Sequence, residues 1–292
     1  MRRNEINFIA EISSNHNKSL KRTFHLIDSA KKNGFDSVKF QLFKINQLFS
    51  KEILENSYEH RKRAKWELPL EFVPKISKYC KQKKIKFGCT PFYLEGVSFL
   101  KDYVDFFKIS SYELLWDKLL IECAKTNKPT IISTGMATLN EVSRAVKNLK
   151  HTGNKKITVM HCISAYPADF KSANLSVIEK LRKKLKVNIG WSDHTVNPNV
   201  IMRAIYRWNV KDIELHYDLE DKKGYEFKGG HCWLPKDAFK LIDNINEGLL
   251  SDGKNIKKPT KSELKDRDWR TDPIDGLRPF IKIRKKWSKK KY

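Results

Sequence analysis

Residues 129–161 read PTIISTGMATLNEVSRAVKNLKHTGNKKITVMH. Two short runs rich in β-branched residues, 129–134 and 156–161, flank a longer amphipathic stretch at 138–149. Strands are short and suit β-branched side chains, whereas helices are longer and one-sided, so this is a strand–helix–strand unit. The unit repeats in both directions. Upstream lie INFIAE (6–11), DSVKFQ (36–41), IKFGCT (85–90) and DFFKIS (105–110); downstream lie VNIGWS (187–192) and KDIELH (211–216). Helical patterns follow each: 19–34 stopped by Gly34, then 71–83, 94–102, 117–126, 174–185, 198–208 and 236–249. Strict alternation over eight even units fits a closed parallel (β/α)₈ barrel better than an open doubly wound sheet. The expected barrel spans 1–250 as one domain. Its longest βα connections are 42–70 and 217–235, and such loops shape barrel active sites. Residues 251–292 are charged, carry Pro259, Pro273 and Pro279, and read as a basic tail or arm.

Composition narrows the function classes. The chain has 292 residues, 40% of them hydrophobic, as a soluble globular protein requires. No apolar run approaches the ~20 residues of a membrane span, and the N-terminus lacks the apolar core of a secretory signal. Five scattered cysteines, Cys80, Cys89, Cys123, Cys162 and Cys232, form no C-x-x-C pair. The expectation is a reduced, cytoplasmic protein. The net charge of +25 is spread along the chain, with one denser run, IRKKWSKKKY, at 283–292. No nucleic-acid-binding motif accompanies it, so the excess reads as solvated helix faces, with no nucleic-acid or membrane partner.

Barrel chemistry gathers where strands end, because those side chains converge on one mouth. The ends carry Glu11, Lys39 and Gln41, Thr90, then Lys108, Ser111 and Glu113. Ser133, Thr134 and His161 follow, and then Ser192, Asp193, His194, Glu214 and His216. Lys39, Gln41 and Lys108 interrupt apolar strands, and a charge in a sheet buried on both faces must be paired or used. A structural ion pair, for example Lys39 with Glu11, is the plain alternative to a function. Two lysines with several hydroxyls suit a phosphate and a carboxylate. The small Ser133-Thr134-Gly135 turn lets backbone N–H groups approach an anion. His194 and His216 lie 22 residues apart, one β/α unit, and so on neighbouring strands. They suit either a divalent metal or a pair of neutral hydrogen-bonded imidazoles. His161 precedes Cys162 and reads as packing.

Taken together, FIAEISSNHN, DSVKFQ, CTPF, FKISSYE, PTIISTGMATLNEV, HCISAYP, GWSDHT and IELHYDLE resemble the N-acetylneuraminate (sialic acid) synthase family over residues 6–220. The resemblance implies condensation of phosphoenolpyruvate with an N-acylated mannosamine-type sugar aldehyde, giving a nonulosonic acid and phosphate. It implies phosphoenolpyruvate binding by Lys39, Thr90, Lys108, Ser111, Ser133, Ser164 and Ser192. It implies sugar contacts from Glu11, Gln41 and Tyr166, and a divalent metal, Mn²⁺ with Mg²⁺ or Co²⁺ as substitutes, on His194 and His216. Glu113 would be the acid/base, and the protein a homodimer.

Two departures fall on the sugar side. Members of full architecture add an antifreeze-like domain, for which the residues after 250 are too few. Where many members read Gly-Pro-Asp-His, this chain reads GYEFKGGHCWLP (224–235), and Glu226 is expected to take over that aspartate's sugar contact. The tail segment DWRTDPIDGLRP (268–279) is expected to compensate through Arg270 or Arg278 reaching an active site, its own or, across a dimer, the partner's. Two other function classes are a Schiff-base aldolase using Lys108 and a basic, non-catalytic binding protein.

Overall fold

A computed structural model describes residues 5–288, which excludes the last four residues of the basic run at 283–292. The eight expected runs form β1 (Asn7–Ser13), β2 (Ser37–Leu42), β3 (Lys86–Pro91), β4 (Phe106–Ile109), β5 (Thr130–Ser133), β6 (Ile157–His161), β7 (Asn188–Asp193) and β8 (Asp212–His216). They close as a parallel barrel in sequence order, with β1 paired to both β2 and β8. The barrel helices are α1 (Leu20–Lys32), α2 (Phe72–Lys83), α3 (Leu94–Leu100), α4 (Asp117–Lys125), α5 (Leu139–His151), α6 (Val177–Leu185), α7 (Pro198–Trp208) and α8 (Pro235–Ser251).

The helices start where the sequence can satisfy free N–H groups. At α5 the Thr138 hydroxyl accepts the Glu141 N–H, and the Glu141 carboxylate accepts the Thr138 N–H at 2.7 Å, a reciprocal cap. The insertion 42–70 is not open loop: it folds into the short helices Ile45–Leu48, Lys51–Asn56 and Tyr58–Arg61 and a 3₁₀ turn, Lys62–Trp66. None has a fully buried residue, so none leaves the apolar stripe that sequence periodicity detects. The helix expected at 174–185 begins at Val177, after a separate 3₁₀ turn at Phe170–Ser172.

The barrel interior is layered. Successive side chains of a strand alternate between faces, so every second residue points inward. The lower layer is polar. Asn7 Nδ2 donates to Asp212 Oδ1 at 2.8 Å, Ser37 Oγ to Asn7 Oδ1 at 2.9 Å, and Asn188 Nδ2 to Thr158 Oγ1 at 3.2 Å. Above it sits an apolar plug of Ile9, Phe106, Ile131 and Met160, a cluster distinct from the main core between sheet and helices. Glycines make room for it: a Cβ on Gly88 would lie 2.1 Å from the Phe106 ring, and one on Gly190 2.9 Å from Met160 Cγ. Two residues beyond the plug on β1 and β4 stand Glu11 and Lys108, with Lys39 in register beside Glu11 and Glu214 in register beside Ile9. The plug therefore sets the floor of the mouth.

All five cysteines are buried and unbonded. Among the described residues, no helix is long and apolar enough to cross a membrane. The chain divides into Met1–Leu249 and a second unit, Leu250–Tyr292. The second unit contains a 3₁₀ turn, Arg267–Trp269, and α9 (Ile281–Trp287). Its anchor is buried Asp272, which accepts the Ile281 and Ile274 N–H groups at 2.7 and 3.0 Å. The two arginines expected to reach an active site have partners inside this unit. Arg270 stacks over Phe280 at 5.3 Å, and Arg278 Nε donates to Thr271 Oγ1 at 3.3 Å.

Candidate active site

Two groups of polar side chains occupy the carboxyl end of the barrel. The first is a buried charge cluster. Lys108 on β4 reaches across the barrel to Glu214 on β8, with Nζ at 2.8 and 3.0 Å from the two carboxylate oxygens. Ser192 Oγ, one strand away, donates to the same carboxylate at 3.2 Å. Lys39 Nζ lies 2.7 Å from Glu11 Oε2 and donates to Thr90 Oγ1 at 3.1 Å, while Gln41 Nε2 donates to Glu11 Oε1 at 2.7 Å. All four charged side chains are 3% exposed or less. The ion-pair alternative for the lysines is thus realised. Schiff-base chemistry on Lys108 would need its amine free of the Glu214 carboxylate that both contacts engage.

The charges set one another. Burial alone would raise Glu214, but Lys108 and Lys39 outweigh it and hold the carboxyl at about 2. Glu11 goes the other way: burial dominates, with Glu214 adding repulsion, and together they exceed the attraction of Lys39 and His216. Glu11 therefore takes up a proton more readily than an ordinary carboxylate.

Beside this cluster, small residues surround the turn after β5. Gly135 N–H donates to Ser111 Oγ at 3.0 Å, and Ser111 Oγ lies 3.3 Å from Cys162 Sγ. A Cβ on Gly135 would sit 2.0 Å from Ser164 Oγ, so only glycine allows the two hydroxyls to close over this backbone. Ser164 Oγ is buried and has no hydrogen-bond partner. Such an orphaned donor is costly unless a ligand satisfies it. Ser133 is buried at the end of β5, while the Thr134 hydroxyl is spent on the Met160 carbonyl at 3.1 Å. Glu113 is half-buried, bonded to Ser110 Oγ, and burial raises its carboxyl above the usual range. No described contact joins it to the histidines.

The second group is aromatic and imidazole. His194 and His216 face each other with ring centroids 5.2 Å apart, and Tyr166 lies 4.3 Å from His194 and 6.1 Å from His216. His194 Nδ1 donates to the Ile163 carbonyl at 2.6 Å, which fixes the ring and leaves the Nε2 lone pair available. Burial and the neighbouring His216 push His194 down to about 3, so it is neutral. A neutral imidazole oriented by a carbonyl is a suitable cation ligand, and the His194–His216 pair fits the expected metal. His161 instead packs on Trp191 at 5.4 Å with Nε2 on the Ala173 carbonyl at 2.9 Å.

The β8–α8 loop brings in residues that spacing alone did not reveal. Glu226, expected at the sugar, points its carboxylate at His216 Nδ1 (3.0 Å), His231 Nε2 (3.8 Å) and the Ser13 hydroxyl. His231 stands 4.6 Å from His216 and 5.0 Å from Tyr166, ring to ring. Glu226 keeps its charge, because His216 and His231 outweigh burial and hold the carboxyl well below the usual range. Ser13 adopts φ +47°, an uncommon conformation for a residue with a side chain. It follows an irregularity in β1 between Glu11 and Ser13 that turns the chain toward this loop.

The closed (β/α)₈ barrel gathers charged, hydroxyl and imidazole groups at its carboxyl end, the face where barrel enzymes keep their active sites. The NeuB family profile matches residues 26–257, and the chain belongs to the NeuB family. It is 34% identical to an N,N'-diacetyllegionaminic acid synthase of Campylobacter jejuni, over 88% of this chain and 80% of that protein. It is 31% identical to a pseudaminic acid synthase of the same species, over 84% of this chain and 75% of that protein. The solved N-acetylneuraminic acid (sialic acid) synthetase of Leptospira borgpetersenii, in complex with citrate, superposes with a TM-score of 0.79 at 26% identity, covering 92% of each chain.

Proposed function

We propose that this chain condenses phosphoenolpyruvate with the open-chain aldehyde of an N-acylated mannosamine-type sugar, releasing phosphate and a nonulosonic acid. The observation that carries this reading is the buried lysine pair, Lys39 and Lys108, beside the hydroxyl-lined Gly135 turn, in a chain whose named relatives are synthases of such acids.

Phosphoenolpyruvate carries a carboxylate and a phosphate. Lys39 and Lys108 neutralise them, and Ser111, Ser133, Ser164, Ser192 and Thr90 supply hydrogen bonds. The four buried charges cancel without substrate, so an incoming anion must displace a carboxylate from a lysine. A proton on Glu11, whose carboxyl is raised, releases Lys39 to the anion. The sugar lies on the imidazole side, against Tyr166, Gln41 and Glu11. His194 and His216 would hold a divalent cation, expected to be Mn²⁺, which would supply Lewis-acid polarisation of the sugar's aldehyde oxygen. C3 of phosphoenolpyruvate attacks the aldehyde carbon, leaving positive character at C2. Water adds at C2 and gives up a proton to Glu113. The tetrahedral intermediate loses phosphate by C–O cleavage. Holding both reactants in attack geometry in one mouth is the main source of rate.

The test is phosphate release from phosphoenolpyruvate across a panel of N-acylated mannosamine-type sugars, with and without MnCl₂. Release with one sugar is expected. No release with any of them overturns the reading. Borohydride trapping of substrate on Lys108 would indicate the aldolase instead. Salt-dependent RNA binding without turnover would indicate the basic binding protein.

A further inference from the structure

We propose that Glu226 and His231 join the His194–His216 pair as direct ligands of the divalent cation, so that this chain adds an imidazole and a carboxylate to its grip on the metal. The inference rests on the synthase reading only for the cation's role; the cation site stands on its own geometry.

The three residues each offer a ligand atom, and these atoms lie within 4.8 Å of one another. His216 Nδ1 is 3.0 Å from Glu226 Oε2, and His231 Nε2 is 3.8 Å from the same oxygen. Ligand atoms about 2.1 Å from one cation lie about 3.0 Å apart at a right angle and about 3.4 Å apart at the tetrahedral angle. The His216–Glu226 spacing therefore matches two adjacent positions around one ion, and His231 Nε2, at 3.8 Å from the same oxygen, has to close by about 0.4 Å to take a third at the tetrahedral angle. Two imidazoles and one carboxylate on one face, with the remaining positions open, suit Mn²⁺, Fe²⁺ or Zn²⁺.

The cluster is built, not incidental. The Glu226 N–H donates to Asn15 Oδ1 at 2.8 Å, and Asn15 Nδ2 donates to the Tyr217 carbonyl at 2.9 Å. This ties the loop to the end of β1 and to the residue after β8. Ser13 donates to the other carboxylate oxygen, leaving Oε2 aimed at the imidazoles. His231 is carried back to the mouth by a return segment beside β8. Trp233 N–H donates to the His216 carbonyl at 2.7 Å, and Asp218 N–H donates to the Trp233 carbonyl at 3.1 Å. The Trp233 indole is held by buried Asp193 at 3.2 Å. His194 faces this group from β7, with ring centroids 5.2 Å from His216 and 6.3 Å from His231.

The experiment is direct Mn²⁺ titration of the full chain, without substrates, followed by the electron paramagnetic resonance signal of free Mn²⁺. Wild type is compared with Glu226→Gln, His231→Gln and His194→Gln, with circular dichroism as the check on folding. Glu226→Gln and His231→Gln are expected to weaken Mn²⁺ at least about 10-fold each. Should either fold poorly, Glu226→Asp and His231→Asn apply the same test with a shifted ligand atom. Wild-type Mn²⁺ affinity in the folded Glu226 and His231 variants, with loss only in His194→Gln, overturns the proposal and leaves the His194–His216 pair as the site. Tight, Glu226- and His231-dependent Mn²⁺ binding without phosphate release from any sugar upholds the cation site and removes the synthase reading instead.

Discussion

Replacing Lys108 with methionine tests whether the charge cluster or the apolar plug holds the barrel's interior. Lys108 and Glu214 are each 3% exposed and share two contacts of 2.8 and 3.0 Å. Removing the lysine leaves two carboxylates facing one ammonium in a space closed to water. Breaking a buried pair this way costs about 3–5 kcal/mol, because the remaining charge keeps its desolvation penalty and loses its partner. Removing both charges, in Lys108→Met with Glu214→Leu, removes that penalty as well. The double variant is expected within about 1–2 kcal/mol of wild type. Equilibrium urea unfolding at pH 7 gives the four corners of the cycle, and the coupling should be at least about 2 kcal/mol.

The pH dependence sharpens the same test. Glu214 in wild type is held at about 2, below its unfolded value, so its stabilisation is present at pH 7 and is lost as pH falls from about 4.5 toward 2. In Lys108→Met the surviving carboxylates are raised instead, so protonation favours the folded state. The gap between variant and wild type should therefore narrow as pH falls from 7 to 5. A single-variant loss below about 1 kcal/mol, or a double variant as unstable as the sum of the singles, refutes the reasoning. Phosphate release should vanish in all three variants, since stability can be restored without restoring the anion's charge partner.

Gly135→Ala places a methyl 2.0 Å from Ser164 Oγ; steady-state kinetics should show KM for phosphoenolpyruvate raised about 10-fold or more, and an unchanged KM would remove the hydroxyl turn from the anion site. Glu113→Gln should lower kcat by about 10²-fold with KM for phosphoenolpyruvate little changed; full activity would assign proton transfer elsewhere. His16 is fully buried and burial holds it down at about 4, with Nδ1 accepting the Lys18 N–H at 3.0 Å. It folds neutral, so stability should fall as pH drops below about 6.5 toward 4, by up to roughly 3 kcal/mol. His16→Gln should flatten that slope in thermal melts taken across the range, and an unaltered slope counts against it. Gly88→Ala drives a methyl into the Phe106 ring and should cost about 1–3 kcal/mol, most of it recovered with Phe106→Leu.

The barrel was legible because its signal is local and repeated. Each strand is a short β-branched run, each helix a longer one-sided stretch, and the strict alternation admits few topologies. The strand-end residues were legible for the same reason: Lys39 and Lys108 stand out only against apolar neighbours. The short helices of 42–70 were not, since they bury too little to leave a periodic stripe. Glu214 was visible at a strand end but had no readable role, because its partner lies on the opposite strand, 106 residues earlier. His231 gave no signal at all. It lies 15 residues beyond His216 in an irregular loop, and only the return of Trp233 along β8 brings the two rings to 4.6 Å. By itself, the sequence determined which strand-end residues reach the mouth, since that depends on strand position and period. The tertiary structure decided which of them meet, since that depends on barrel closure and on the path of one long loop.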